Sequence, residues 1–181
     1  MSRSFSDHPN IEIKNLKALI FLLFFCISGH QVHAGQKITI GETAWIGVEG
    51  LPFSYLARVD TGAKSSSINA TNIIILDKST VYSENIGKTL SFETRNRDGR
   101  SQSMTAVIVK VSNIRNSQGI EQRYVIRLPL SWKHVRKIVE VNLRNRSTMN
   151  YKLLIGRNFL SEDFLVDVEM KADNDQSKGS K

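Results

Sequence analysis

The chain has 181 residues, with 25 Lys and Arg against 17 Asp and Glu, and a formal net charge of +8. Hydrophobic residues make up 40% and charged residues 23%, a globular balance that excludes a fibrous or wholly disordered chain. A single Cys excludes a disulfide framework and a multi-Cys metal cluster, and the size fits one domain.

Residues 18–28 form an apolar run preceded by Lys14 and Lys17 and followed by Gly29 and Val32-His33-Ala34. A basic flank, an apolar stretch of about 7–15 residues and a small-residue cleavage site make a secretory signal pattern. The run is short against the ~20 residues a membrane span needs. The expectation is a signal peptide over 1–34, cleaved after Ala34, with a periplasmic or secreted product and no stable membrane anchor. Cys26 follows Phe25, which is too bulky for a lipoprotein site. Cleavage would remove Cys26, His8, His30 and His33, leaving His134 as the one His. Thiol nucleophiles and His-built zinc sites are then excluded from the mature chain, and no metal or other cofactor is expected.

From Gly35 onward the hydrophobic period is mostly two, with β-branched residues in short segments between turn residues. The pattern predicts strands at 37–40, 44–48, 55–59, 72–76, 89–94, 105–111, 123–128, 138–143 and 152–155. Asp98-Gly99 and Ser117-Gln118-Gly119 mark hairpin turns, and Pro52 and Pro129 are placed at segment edges. One helix is predicted, starting at Arg157-Asn158-Phe159-Leu160, whose Phe159 and Leu160 face the core. Trp45 and Trp132 read as packing residues. The domain is expected over 35–170 and a disordered polar tail over 171–181.

Two segments carry chemistry. Ala57-Arg58-Val59-Asp60-Thr61-Gly62-Ala63 is a strand running into Asp-Thr-Gly, and Leu153-Leu154-Ile155-Gly156-Arg157-Asn158-Phe159-Leu160 is an apolar strand running into Gly-Arg-Asn. Each is weak alone, since Asp and Gly populate any type I turn. In this order, on strands of a β chain this long, they form a specific pair.

Together they resemble the retropepsins, the one-lobe aspartic proteases that include the retroviral enzymes. Ile40-Gly41-Glu42, the run from Val59 to Ala70, Arg115 to Arg123, Leu143 to Met149 and Leu154-Ile155-Gly156-Arg157 resemble one bacterial branch of that family, which carries the label "ATP-dependent zinc protease". The resemblance implies an all-β fold, a retropepsin-like closed β-barrel with one short C-terminal helix. It implies Asp60 as the catalytic carboxylate, with Thr61 and Gly62 completing its loop. Ala63 and Lys64 would line the substrate cleft, while Gly156 and Arg157 support the loop. Retropepsins close a β-hairpin flap over substrate, and counting back from Gly156 places its tip near 116–119. Arg115, Ser117 and Gly119 are thereby substrate-binding candidates, and the 98–99 hairpin becomes an addition.

The inherited label does not match the residues. A phosphate loop would want Gly-x-x-x-x-Gly-Lys-Thr, and Gly87-Lys88-Thr89 ends such a motif, but Tyr82 stands where the first glycine belongs. Zinc would want two His in a His-Glu-x-x-His helix or an equivalent set, and His134 is alone.

An aspartic protease needs two carboxylates sharing a proton, one acting as base and one as acid. One Asp-Thr-Gly per chain therefore requires a two-fold homodimer with both Asp60 residues at the axis. Retroviral enzymes place an Asp four residues after the catalytic one, paired with the Arg of Gly-Arg-Asn. Here Lys64 takes that position, so Arg157 is expected to pair with Asp163, Asp167 or Glu169. Lys64, Arg58 and Arg115 would make a basic cleft suited to acidic peptides, and the branch's association with glutamate-ligase systems implies a glutamate-rich peptide or protein substrate. The alternatives are a solvated basic surface and a catalytically silent peptide- or envelope-binding module on the same fold. Nucleic acid is not expected as a partner, because Lys and Arg are scattered and the aromatics form no stacking series.

Overall fold

A computed structural model describes residues 36–116 and 119–172. The expected signal segment 1–34, Ser117 and residues 173–181 of the expected tail lie outside the described residues. The strands are β1 (Ile38–Gly41), β2 (Thr43–Val48), β3 (Ser54–Val59), β4 (Ser66–Asn69), β5 (Thr71–Ile75), β6 (Thr89–Arg95), β7 (Ser101–Val107), β8 (Lys110–Asn116), β9 (Gly119–Trp132), β10 (Val135–Arg144), β11 (Leu153–Ile155) and β12 (Phe164–Asp167). One short helix, α1 (Arg157–Leu160), follows β11.

The main sheet runs β10-β4-β11-β3-β2-β9-β8, and a further β9–β10 pairing closes it on itself. The fold is therefore all-β, a closed barrel with β8 extending the sheet beyond β9. Closure follows from the length of β9. Its residues 119–125 pair with β8, 125–132 with β10, and Leu130 and Ser131 with β2. Inside lie Ile46, Tyr55, Ile68, Ile126, Leu130, Leu153 and Ile155, each fully buried. Phe159 of α1 stacks on Phe164, which also meets Trp132 edge-on, so the helix caps one end of this core. Strands β5-β6-β7 make a separate antiparallel sheet. Its turn at 96–100 is built by the Asn96 side chain, whose Oδ1 accepts the N–H groups of Asp98 and Arg100 at 3.0 Å each, with Gly99 at φ +84.

Four expectations are corrected. The β-branched run at 105–111 is two strands of different sheets, broken at Ile108 and Val109; Ile108 donates to Lys88 O and Val109 to Val125 O. Strand β4, Ser-Ser-Ile-Asn, has no apolar alternation and was not predicted. It lies between β10 and β11 and is buried at every residue. Strand β12, also unpredicted, pairs in parallel with β1. Pro129 lies within β9, not at its edge. Its carbonyl accepts the Glu49 N–H (3.1 Å), one residue past the end of β2, so its missing N–H falls beyond the β2 ladder. At the C-terminal boundary, Ala172 N–H donates to Thr43 Oγ1 (3.0 Å), tying residue 172 to the barrel.

Candidate active site

Strand β3 delivers Asp60 to the barrel end, and the Asp60 N–H donates to Ile155 O (2.9 Å) on neighbouring β11. The chain then turns tightly. Asp60 Oδ1 accepts the N–H groups of Gly62 (2.9 Å) and Ala63 (3.2 Å), so the carboxylate is oriented by its own loop. Asp60 is half-buried, while Thr61 and Gly62 are exposed. A carboxylate fixed by two backbone donors yet open on one side is suited to accept a proton from a substrate or water.

The Gly-Arg-Asn segment holds this loop from below. Gly156 must be glycine for space: a Cβ there would lie 2.7 Å from Ser65 C, 2.8 Å from Ser65 O and 2.9 Å from Ala63 O. Arg157 N–H donates to Ala63 O (2.9 Å), and its guanidinium Nη1 donates to the carbonyls of Thr61 (2.9 Å) and Gly62 (3.0 Å). This corrects the expected acidic partner of Arg157. Asp163 is engaged by Lys137, and Asp167 Oδ1 accepts the Glu169 N–H. With Lys64 in place of an acid, the guanidinium turns to the loop's carbonyl oxygens.

Asn158 extends the brace. The Gly156 N–H donates to Ser66 Oγ (3.1 Å), and that hydroxyl donates to Asn158 Oδ1 (2.9 Å), which also accepts the Ser66 N–H (2.9 Å). Asn158 Nδ2 donates to Glu140 O (2.7 Å), joining α1, β4 and β10. Ser66 escaped sequence reasoning because one serine in a run of three carries no distinguishing pattern.

The structure thus brings together Asp60, Thr61, Gly62, Ala63, Gly156 and Arg157. Lys64 is exposed on the same loop and has no hydrogen bond or ion pair among the described residues. Arg58 is committed to Glu42 (2.8 Å), which removes it from the expected set of free cleft cations. Arg115 and Gly119 lie at the end of the β8–β9 hairpin, where the register closes on Asn116 opposite Gly119. Gly119 has φ +129, a conformation that favours glycine. No hydrogen bond among the described residues links that hairpin end to the Asp60 loop.

Lys88 has a structural job: its Nζ donates to Asp77 O (2.6 Å) and Asn85 Oδ1 (3.2 Å) in the turn before β6. Arg123 and Asn142 are a buried polar pair that sequence reasoning missed, with Arg123 Nη1 donating to Asn142 Oδ1 (3.1 Å). The available signal was a polar residue at an interior position of a β-branched strand, Val139-Glu140-Val141-Asn142-Leu143.

A family model described as "RimB-like: Retropepsin-like aspartic endopeptidase RimB" matches residues 39–176. Among curated proteins, the chain is 33% identical over 139 residues to a probable alpha-L-glutamate ligase of Parasynechococcus marenigrum, covering 74% of this chain and 28% of that protein. A protein of the same name from Shewanella halifaxensis is 34% identical over 137 residues, covering 73% and 29%. The chain thus spans less than a third of the length of these relatives. A crystal structure of a Legionella pneumophila protein of unknown function is similar with a TM-score of 0.62 at 25% identity, over 76% of this chain and 98% of that one. By its fold, its loop geometry and this match over most of its length, the chain belongs to the RimB-like family of retropepsin-like aspartic endopeptidases.

Proposed function

We propose that the protein is an exported aspartic endopeptidase that hydrolyses peptide bonds with a dyad of two Asp60 carboxylates, one from each chain of a homodimer. The observation that carries this reading is the Asp60 loop itself: a carboxylate oriented by the Gly62 and Ala63 N–H groups, clamped from below by Arg157, with Thr61 and Gly62 exposed for a second copy to meet. In the reaction, the ionised Asp60 removes a proton from water while the protonated one donates to the scissile carbonyl oxygen. The water oxygen bonds to the carbonyl carbon. The resulting gem-diol then collapses, the C–N bond breaks, and the leaving amine takes a proton from the dyad. Retropepsin flap closure, assigned here to the β8–β9 hairpin with Arg115, Ser117 and Gly119 near its tip, would exclude bulk water.

The substrate is a peptide or protein, with acidic, glutamate-rich segments preferred. Support comes from the net charge of +8, from Lys64 exposed beside the loop, and from relatives named glutamate ligases. The ligase name belongs to proteins more than three times as long as the matched stretch, and Lys88, which ends the phosphate-loop-like sequence, braces a turn in this chain. Export rests on the signal pattern of residues 1–34.

The test is digestion of a peptide library containing glutamate-rich members by the protein and by its Asp60→Asn variant, read by mass spectrometry with and without a chelator. Cleavage lost in Asp60→Asn and indifferent to the chelator supports the proposal. Equal, inert behaviour of both proteins refutes it and favours a silent binding module, while equal cleavage of acidic and neutral peptides removes the substrate preference.

A further inference from the structure

Linked through Asn142 to the segment leaving the Asp60 loop is a buried cation with unused bonding capacity. Arg123 on β9 is 7% exposed. Its Nη1 donates to Asn142 Oδ1 (3.1 Å) and its Nη2 to the carboxylate of Glu121, while its Nε–H has no acceptor. Ser67 on β4, the register partner of Asn142, is 4% exposed, and its hydroxyl is also unpartnered. Asn142 joins Arg123 to the segment leaving the Asp60 loop: its Nδ2 donates to Ser66 O (2.7 Å) and Ser65 Oγ (3.4 Å). Buried donors without acceptors are uncommon in folded proteins, and each calls for a cause.

The charge balance around them is lopsided. Glu121 faces Arg123 and also Arg144, whose Nε is 4.0 Å from the same carboxylate. Arg146 is buried nearby. Burial, reinforced by the charges of Arg144 and Arg123, holds its guanidinium down to about 10. Two guanidiniums thus share one carboxylate, with a third cation close enough to feel both, and that carboxylate is half-exposed, on a side chain free to swing into water.

We propose that Arg123, Asn142 and Ser67 form a subsite for a side-chain carboxylate of the substrate, and that Glu121 occupies the place of that carboxylate until an acidic residue displaces it. The inference rests on the peptide-cleaving reading of the Asp60 site and deepens it. Nε and Nη2 present one edge of the guanidinium, the fork that a carboxylate bridges with two parallel hydrogen bonds. Glu121 uses only the Nη2 half of it. An incoming carboxylate would take both halves and accept the Ser67 hydroxyl as well. Glu121 would leave for water still ionised, so the buried charge is unchanged by the exchange. A neutral glutamine side chain would gain no such charge-assisted pair.

The test is peptide binding to the full-length Asp60→Asn protein, followed by fluorescence anisotropy at fixed salt. Labelled, C-terminally amidated peptides would carry Glu or its isostere Gln at each position in turn. At one position Glu should bind about tenfold or more tighter than Gln. Adding Arg123→Gln should bring that ratio close to one, Ser67→Ala should lower it in part, and Glu121→Gln should tighten the Glu peptide several-fold while leaving the Gln peptide little changed. A Glu-to-Gln ratio that survives Arg123→Gln, or a Glu121→Gln variant that weakens both peptides alike, overturns the subsite. So does a preference that appears only when the peptide's C-terminal carboxylate is freed, or a failure of every peptide to bind. Because Glu121 is half-exposed, its variant decides the matter even if Arg123→Gln does not fold. Cleavage by the unaltered protein with no Glu preference defeats this inference alone; an Arg123-dependent preference without cleavage defeats only the proteolytic reading.

Discussion

Arg157 holds the loop that carries Asp60: one guanidinium nitrogen donates to both the Thr61 and the Gly62 carbonyl oxygens, at 2.9 and 3.0 Å. The bond from side chain to backbone fixes the turn independently of any acidic partner, so Lys64 is tolerated where retroviral enzymes carry an acid. Arg157→Met should lower stability by about 1–2 kcal/mol, since the lost hydrogen bonds are charge-assisted but exposed. It should reduce peptidase activity by more, about tenfold or beyond, because the carboxylate loses its fixed position. Thermal melting and cleavage rate measured together check this; a fall in melting temperature with activity intact would contradict it.

Gly156→Ala should be the costlier change. Its backbone, at φ −100 and ψ −177, suits any residue, so the penalty is steric. The new methyl would press on the backbone of Ala63 and Ser65 at 2.7–2.9 Å, which no side-chain rotation can relieve. Overpacking of this kind costs about 1–3 kcal/mol. Urea denaturation should show the loss, and a stability equal to the parent's would show that the loop yields freely.

Asn158→Leu removes the acceptor of two Ser66 donors and the donor to Glu140 O. It leaves part-buried groups on β4 and β10 unmatched, at about 1–3 kcal/mol for each group left without a partner. Amide hydrogen exchange should then rise at Ser66 and its β10 neighbours before the rest of the barrel. Uniform protection across β4 would contradict the role assigned to this side chain.

How much of this was legible beforehand depends on what each residue had to do. Asp60-Thr61-Gly62 and Gly156-Arg157-Asn158 were readable because a tight turn at a carboxylate and a close backbone approach restrict residue choice. Strands β2, β3 and β6 were readable because one face packs inward and the period of two survives. Strand β4 was not, because all four of its residues are buried and three are polar, with the Ser66 hydroxyl serving hydrogen bonds, not an apolar face. The break at Ile108 was hidden because both flanking strands are β-branched, so the passage between sheets leaves no change in composition. The partner of Arg157 was misassigned because the carbonyl oxygens of a loop have no signature in a sequence.

Tyr55 links the barrel to the second sheet through a buried hydrogen bond between its hydroxyl and Thr94 Oγ1 (2.6 Å). Burial pushes the phenol up to about 12 from its ordinary 10.0, with the Thr94 bond partly opposing the shift. A folded-state pKa above the unfolded one stabilises the fold below the unfolded pKa, and that contribution is lost as pH rises through the folded value. Stability should therefore fall between pH 10 and about 12, and Tyr55→Phe should flatten that part of the profile. The same variant should lose about 1–2 kcal/mol at neutral pH, where Thr94 is left unmatched. Chemical denaturation at neutral and alkaline pH measures both, and an unchanged alkaline slope in Tyr55→Phe would contradict the assignment.

The central claim is that one catalytic site needs Asp60 from two chains, and mixing tests it most directly. A fixed amount of active protein is incubated with increasing amounts of Asp60→Asn protein under conditions where subunits exchange, and the cleavage of an acidic peptide is followed. A dyad shared between copies predicts that activity falls steadily toward zero as mixed dimers, each with a single Asp60, replace active ones. Activity that stays constant at every excess of the Asp60→Asn chain would show that each chain cuts on its own, and would contradict the account.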